Sequence, residues 1–194
     1  MDTTHEQNIV EVQIMAAVAS GDTQAFERLY HVYEKRVFQY VSTFVRDQTV
    51  AEEIVVDVMV AVWRGACTFT NTSRVSTWIF GIARHKAIDA LRKVIRSEHE
   101  SMALDNVAHL PNPAEGPVES IDRKQVAALT RQAIAKLSRE HQEVIRLAFF
   151  EDLPYEEIAI LLGIPVNTVK TRVYYAKQQL KQQLDRLLSR ESVP

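Results

Sequence analysis

Several features that are common in other classes of protein are scarce or missing in this sequence. It has a single cysteine, Cys67, which excludes a disulfide framework and is typical of proteins kept in a reducing compartment. No segment approaches the run of about 20 apolar residues that a membrane-spanning helix requires. The N-terminus also lacks the basic start and apolar stretch of a signal peptide. We therefore expect a soluble cytoplasmic protein without direct membrane insertion.

The sequence also lacks the residue patterns of an enzyme. It has five glycines, and it contains neither a glycine-rich phosphate loop nor a nucleophile motif. A metal-dependent enzyme could use Glu52, Glu53 and Asp57, or His85 with Asp89, because these acids and the histidine recur at helical spacing. Neither group has further ligands at a spacing typical of a metal site. We predict no catalytic residues, no metal and no cofactor.

Charge is unevenly distributed, although the formal net charge is only -2. Residues 97–122 contain six acidic residues, no lysine or arginine, and the prolines Pro111, Pro113 and Pro117. A segment with this composition buries little apolar surface, which predicts a flexible acidic linker. Residues 123–190 contain twelve lysines and arginines against seven acids. A local basic surface of this kind favours nucleic acid as a partner.

Apolar residues on both sides of the linker recur at the spacing of amphipathic helices. Four helices are predicted before it, over residues 9–20, from Asp22 or Thr23, from about Thr49 to Gly65, and from Ser76. At least two more follow it, the second capped by Ser138. We predict an all-α protein with two small helical domains, residues 5–96 and 123–190, joined by the flexible acidic linker at 97–122.

The stretch at about 155–174 has the pattern of a helix-turn-helix. The apolar face of its first helix is Tyr155, Ile158, Ala159 and Leu162. Gly163 predicts the end of that helix, Pro165 prevents its continuation, and Asn167 is predicted to cap the second helix. The buried stripe of the second helix is Val169, Val173, Ala176 and Leu180.

The outward face of this second helix carries hydroxyl, amide and cationic groups, which contact phosphates and base edges in the major groove. No acid occurs from Asn167 to Leu184, whereas an ordinary exposed helix mixes both signs of charge. Many helical domains contain a similar turn without binding DNA, and it is the basic face that favours DNA binding here. The candidate DNA-binding residues are Asn167, Thr168, Lys170, Thr171, Arg172, Tyr175 and Lys177.

A second basic surface is predicted on the helix that begins near Ser76. Its polar face has one acid and is otherwise rich in cations: Arg84, His85, Lys86, Asp89, Arg92, Lys93 and Arg96. Trp78 and Phe80 lie beside it and offer flat rings that could stack on unpaired bases. Taken alone, Trp78 is more typical of a core residue and His85 of a surface residue.

Together these segments resemble a known family. The runs from Ala51 to Trp63 and from Ser76 to Arg92 resemble region 2 of bacterial RNA polymerase sigma factors. The stretch from Glu157 to Arg172 resembles their region 4. With only a short linker between these segments, the chain resembles the extracytoplasmic-function (ECF) type, group IV of the sigma-70 family. The resemblance covers nearly the whole chain, in the right order.

The resemblance implies a non-enzymatic sigma factor that binds core RNA polymerase, at its β′ clamp and β flap, and directs transcription initiation. It assigns the −10 element to Trp78, Arg84, His85, Lys86, Asp89, Arg92 and Lys93. It assigns the −35 element to the helix-turn-helix. It assigns core-polymerase binding to Glu52, Glu53, Asp57, Met59 and Trp63. Because such proteins are commonly inhibited by an anti-sigma factor, we hypothesise that one holds the two domains against each other.

Some positions depart from the family pattern, so the promoter preference does not carry over. Glutamine is usual where Val56 stands, and phenylalanine is usual at Met59. Asparagine is common at His85, glycine is usual at Asn167, and arginine is common at Tyr175. The alternative function is a stand-alone dimeric helix-turn-helix transcriptional regulator, which would leave the N-terminal basic helix without a role.

Overall fold

The computed structural model describes residues 3–101 and 121–191, and in these ranges the chain forms eight α-helices and no strand. This confirms the predicted all-α class. The first four helices are α1 (Thr3–Ala19), α2 (Thr23–Val41), α3 (Gln48–Gly65) and α4 (Val75–Ser101). The last four are α5 (Ile121–Ala135), α6 (Arg139–Ile145), α7 (Tyr155–Leu162) and α8 (Val166–Glu191). A 3-10 turn (Ala66–Thr68) follows α3, and a π-helical turn (Arg146–Phe150) follows α6.

Side-chain caps begin two of these helices as the sequence predicted. The Asp22 carboxylate accepts the backbone N–H of Gln24 at 2.8 Å and that of Ala25 at 3.0 Å. The Ser138 hydroxyl accepts the backbone N–H of His141 at the start of α6. These bonds satisfy donors that have no partner within the first helical turn.

The N-terminal module, α1 to α4, is built around aromatic residues of α2 and α4. Tyr33 and Tyr40 of α2 and Phe80 of α4 are all fully buried. The Phe80 ring lies 6.4 Å from the Tyr33 ring and 5.2 Å from the Tyr40 ring, between centroids. Burying an aromatic or aliphatic side chain of this size contributes about 1.5–3 kcal/mol, so this cluster fixes α4 firmly on α2.

The C-terminal module, α5 to α8, contains the predicted helix-turn-helix in α7 and α8. Gly163 ends α7 in the left-handed conformation, with φ of 68°, which glycine adopts without a Cβ clash. The predicted apolar faces are buried at Ile158, Ala159, Leu162, Val169, Val173 and Ala176. Further along α8, Leu180 packs against Leu129 and Ala133 of α5. The fold therefore turns the polar side of α8 away from its own module.

The first residue of α8 differs from the prediction. The helix begins at Val166, so Asn167 lies in its first turn and is not the cap. The Pro165 carbonyl accepts the backbone N–H groups of Thr168, at 2.9 Å, and Val169, at 3.2 Å. Proline fixes its own φ and has no N–H to satisfy, so the chain can turn into the helix earlier than Asn167.

The predicted linker is shorter than its acidic composition indicated. Helix α4 continues through residues 97–101, and α5 already contains residues 121–122. Acidic residues are compatible with a helix, so composition alone did not mark these boundaries. The rest of the predicted linker, residues 102–120, lies outside the described residues.

The two modules pack directly against each other, whereas we expected them to be held together only by an anti-sigma factor. Buried residues of both modules belong to one continuous apolar cluster, which runs from Met15 to Ala176. The Arg139 guanidinium of α6 lies 5.8 Å from the centre of the Phe44 ring, which follows α2. Within the described ranges, none of the helices is long and apolar enough to cross a membrane.

Candidate nucleic-acid interface

The polar side of α8 forms an exposed surface close to the one predicted. Asn167, Lys170, Thr171, Tyr175 and Lys177 are exposed, and Thr168 and Arg172 are half-buried. The Thr171 hydroxyl donates to the Asn167 carbonyl at 2.9 Å, and the Lys177 ammonium lies 4.5 Å from the centre of the Phe149 ring. Because the opposite side of α8 is buried at Val169, Val173 and Ala176, this surface is held in place before any ligand binds.

Tyr174 belongs to the same surface, although sequence reasoning did not select it. Its side chain is 58% exposed, and its hydroxyl accepts the Gln178 amide at 2.9 Å. The Tyr174 and Tyr175 rings pack edge to face, with centroids 5.4 Å apart. Helical spacing could have identified it, because Tyr174 lies one turn after Lys170 and so shares its face.

The basic residues of α4 are arranged differently, because most of them already have an acidic partner. Arg84 Nε lies 3.0 Å from Glu143 of α6, and Lys86 Nζ lies 3.6 Å from Asp57 of α3. Asp89 is shared by two neighbours: His85 at 3.3 Å and Arg92 at 3.3 Å. Lys93 is exposed. The predicted −10 residues thus lie along one helix, but Arg84 faces the C-terminal module.

The two aromatic residues predicted beside this surface differ in their exposure. Phe80 is fully buried between α2 and α4, so its predicted role in base stacking is wrong. The Trp78 ring is half-buried and packs against the Phe69 ring, with centroids 5.6 Å apart. A Cβ atom placed on Gly65 would lie 3.4 Å from Trp78 Cζ2, so the indole also covers the end of α3.

The face of α3 predicted to bind polymerase is exposed at its three acidic residues, whereas its two apolar residues are half-buried or buried. Glu52, Glu53 and Asp57 are exposed, and half-buried Trp63 packs on Phe26 with ring centroids 5.1 Å apart. Met59 is 1% exposed, so it supports this face from the core and cannot contact a partner directly.

Two further apolar residues on this face of α3 were not among the predicted polymerase contacts, although Val56 was noted as a departure from the family pattern. Val56 is 54% exposed and Val60 is 41% exposed, one turn apart and next to the acidic residues. Their spacing from Glu52, at four and eight residues, places them on its side of the helix and could have revealed them.

Three acidic residues of the C-terminal module form hydrogen bonds with residues of the N-terminal module. Glu143 of α6 meets Tyr40 and Arg84, and the Tyr40 hydroxyl donates to it at 2.7 Å. Glu151, after the π-helical turn, accepts Arg36 Nε at 2.8 Å. Glu157 of α7 accepts the Thr77 hydroxyl and the Arg74 backbone N–H. The N-terminal partners lie on α2, on α4 and in the loop before α4.

Burial explains the protonation of the tyrosine in this junction. Burial, followed by the adjacent Glu143 carboxylate, raises the pKa of the Tyr40 phenol well above its usual range. The hydroxyl therefore stays protonated and donates its hydrogen to Glu143. Among the described residues, no group of three or more His, Cys, Asp or Glu side chains is placed to hold a metal ion.

Comparison with known proteins identifies both modules. The family model for sigma-70 region 2 matches residues 29–96, and that for sigma-70 region 4 matches residues 128–180. The ECF RNA polymerase sigma factor RpoE of Cereibacter sphaeroides is 32% identical over 175 residues, 89% of this chain and 94% of that protein. This chain belongs to the ECF sigma factors of the sigma-70 family. Sigma factors are transcription initiation factors that bind core RNA polymerase and promoter DNA.

Other proteins that match this ECF sigma factor over most of its length are sigma factors as well. The RNA polymerase sigma-H factor of Pseudomonas aeruginosa is 27% identical over 191 residues, 95% of this chain and 97% of that protein. The sigma factor RpoE of Bartonella quintana, solved with the anti-sigma factor NepR, matches with a TM-score of 0.66 and 22% identity. That match covers 82% of this chain and 96% of that one, and it supports the fold alone. A stand-alone helix-turn-helix regulator does not account for the matched region 2.

Proposed function

We propose that this ECF sigma factor docks on core RNA polymerase through α3 and reads the −35 and −10 elements with α8 and α4. The observation that carries this assignment is the exposed side of α8. It presents Lys170, Thr171 and Tyr175 on a helix that has no acid from Asn167 to Leu184. Such a helix suits the major groove of duplex DNA, because cations and hydroxyls bind phosphates while amides and hydroxyls reach base edges.

The N-terminal module, proposed to span residues 5–96, supplies the other two contacts. The exposed acids and valines of α3 suit a partner that is basic and partly apolar, and we assign this face to the β′ clamp. We assign α4 to the −10 element because its polar face carries Arg84, Lys86, Arg92 and Lys93, which can bind the backbone of a melted strand. The C-terminal module, proposed as residues 123–190, would reach the −35 element and the β flap.

The remaining assignments follow from this role. The protein acts in the cytoplasm, where core polymerase and the chromosome are, and it lends specificity to the polymerase without catalysing a reaction. We further assign it an anti-sigma partner, because the Bartonella quintana relative was solved bound to one. Purification of the native protein from uninduced cells should recover that second polypeptide, and recovery of the chain alone would count against this partner.

Reconstituted transcription tests the main proposal. The purified protein and sigma-free core polymerase are mixed with a library of promoters, and transcripts are sequenced. We expect initiation at a defined subset of templates only when both components are present, and the selected templates would reveal both promoter elements. If core polymerase neither binds nor initiates, while the protein alone shifts duplex DNA, the stand-alone regulator is the better account.

A further inference from the structure

We propose that the C-terminal module inhibits the free protein by binding the arginines around the −10 surface with three glutamates. This inference rests on the proposed role of α4 in reading the −10 element. The three arginine–glutamate pairs, called here the inter-module lock, are Arg84–Glu143, Arg36–Glu151 and Arg74–Glu157. In each of them the arginine belongs to the N-terminal module and the glutamate to the C-terminal module.

The first pair involves a predicted −10 residue directly. Arg84 Nε donates to Glu143 at 3.0 Å, and the Glu143 side chain is only 6% exposed. The same carboxylate oxygen accepts the Tyr40 hydroxyl at 2.7 Å. With its carboxylate already bonded to two donors, Glu143 holds Arg84 against α6, and the Arg84 Nε is not free to bind a phosphate in this arrangement.

The second pair is the most deeply buried. Arg36 Nε donates to Glu151 at 2.8 Å, and the Glu151 side chain is 1% exposed. The Arg36 guanidinium also lies over the Tyr33 ring, 4.4 Å from its centre, and 3.7 Å from Glu11. Charge-assisted bonds in such a dry site are stronger than bonds at the surface, so this pair anchors the two modules to each other.

The third pair covers the start of α4. Glu157 lies 3.6 Å from Arg74 Nε and accepts both the Arg74 backbone N–H, at 3.2 Å, and the Thr77 hydroxyl. A second bond joins Arg74 to the Asp152 carbonyl at 2.9 Å. The loop before α4 and the first turn of α4 are therefore occupied by the C-terminal module.

Carboxylate and phosphate groups compete for the same donors, because arginine binds both through its N–H groups. The glutamates of the lock thus occupy positions that phosphates of a promoter strand would otherwise fill. The junction can open because its charged and hydroxyl groups regain water when the modules separate, which offsets part of the lost contact energy. Polymerase binding to the two modules at separate sites would release the lock.

Distance measurement in the free protein tests whether the lock holds the modules together. Cys67 is the single cysteine and is exposed, so one spin label goes there and another on a Gln182→Cys substitution in α8. Pulsed electron spin resonance should give one narrow distance distribution for the otherwise unchanged chain. Substituting E143Q, E151Q and E157Q together should broaden the distribution and move it to longer distances.

A matched variant controls for the change in net charge. It carries E140Q, E156Q and D185N, which remove three negative charges from exposed positions of the same module. We expect its distance distribution to stay narrow. A broad distribution before any lock substitution, or a distribution that the lock substitutions leave unchanged, would overturn the proposal. If the triple variant does not fold, E157Q alone is used, because Glu157 is the most exposed of the three glutamates.

Binding of single-stranded DNA tests the inhibition itself. The probe is a fluorescein-labelled, mixed-sequence single strand, titrated by anisotropy with each unlabelled protein. Because each lost charged hydrogen bond weakens the closed form, the lock variant should bind about tenfold more tightly than the charge-matched control. Equal binding by these two variants would contradict inhibition. The proposed function is tested separately, since a chain that fails to initiate with core polymerase can still show the closed distance distribution.

Discussion

The two helices assigned to promoter DNA, α4 and α8, differ in how available their basic residues are. Both were selected from the sequence by the same signal, cations on the polar side of an amphipathic helix. On α8, Lys170 and Tyr175 are exposed to solvent. On α4, Arg84 is bonded to Glu143 of the other module, and Lys86 lies 3.6 Å from Asp57 of α3.

The difference shows that a cationic pattern identifies a surface but not its readiness to bind. Asp89 of α4 lies within one helical turn of His85 and Arg92, so helical spacing reveals these pairs. The acids that oppose Arg84 and Lys86 come from α6 and α3, at separations that no local pattern reveals. Duplex recognition by α8 requires no rearrangement of its module. In the proposed lock, α4 becomes available only after the modules separate, so the proposed −10 surface would become competent later than the proposed −35 surface.

The largest expected effect is the loss of stability when the ion pair between Arg84 of α4 and Glu143 of α6 is removed. Arg84→Ala leaves the Glu143 carboxylate, 6% exposed, without its cation. We expect the free energy of unfolding to fall by about 2 kcal/mol, measured by urea denaturation. Arg92→Ala is the control on the same helix, because the Arg92 side chain is 70% exposed and should cost less than about 0.5 kcal/mol. Equal losses would show that the junction does not bury the Glu143 charge.

A smaller effect is expected when one cation is removed from α8. Lys170→Ala should weaken duplex binding about five- to tenfold across sequences and reduce the slope of log K against log salt by about one. Arg131→Ala removes an exposed cation of α5, outside the helix-turn-helix, and should leave both quantities unchanged. Titrations of promoter duplex at several salt concentrations measure this. A sequence-dependent loss for Lys170→Ala would instead make it a base contact.

Glycine substitutions test how rigidly each helix is positioned. Gly163→Ala places a Cβ at φ of 68°, and we expect it to destabilise the protein by about 1 kcal/mol. Gly81→Ala lies inside α4, where a Cβ meets nothing within 4 Å, and should stabilise the protein by about 0.5–1 kcal/mol. Thermal denaturation of both variants gives the comparison. A neutral Gly163→Ala would mean that the turn before α8 is easily deformed.

The smallest effect concerns Glu140, at the start of α6. The hydrogen bond from its own backbone N–H, with help from Ser138, Arg139 and Arg172, lowers the pKa of this carboxyl. Because folding lowers this pKa, the ionised carboxyl stabilises the folded state at pH values above 4.5, the ordinary pKa of glutamate. This contribution is lost as the pH falls through the lowered pKa. Glu140→Gln should remove that pH dependence, at less than about 0.5 kcal/mol because the site is exposed. Stability curves at pH 3 to 6 that coincide for both proteins would contradict it.

Local patterns predicted the helices well because the residues that decide them are near in sequence. Asp22, Ser138 and Gly163 mark helix ends through bonds or conformations of their own segment. The start of α8 was misplaced by two residues, because Pro165 and not Asn167 immediately precedes the first helical residue, Val166. The π-helical turn at Arg146–Phe150 was not predicted, since no residue type signals it.

The candidate site was only partly predictable, for the opposite reason. Exposure of Lys170 follows from helical periodicity, whereas the partner of Arg84 lies 59 residues away on α6. The same limit explains Met59 and Phe80, whose burial depends on how the helices of the N-terminal module pack together. Contacts between distant segments decide which members of a predicted surface can meet a ligand.

The π-helical turn at Arg146–Phe150 gives the chain one residue more than an α-helical path of the same length would need. Each residue of an α-helix advances the direction of the chain by about 100° around its axis. Deleting Ala148 would let the turn revert to α-helix while Glu151 and α7 still face Arg36 and Arg74, because the wide turn absorbs the additional residue. A residue inserted into or deleted from the regular part of α6 is not absorbed in this way and would rotate everything that follows by about 100°. The π-helical turn therefore allows this sigma factor to carry one more residue without losing the alignment of its two halves.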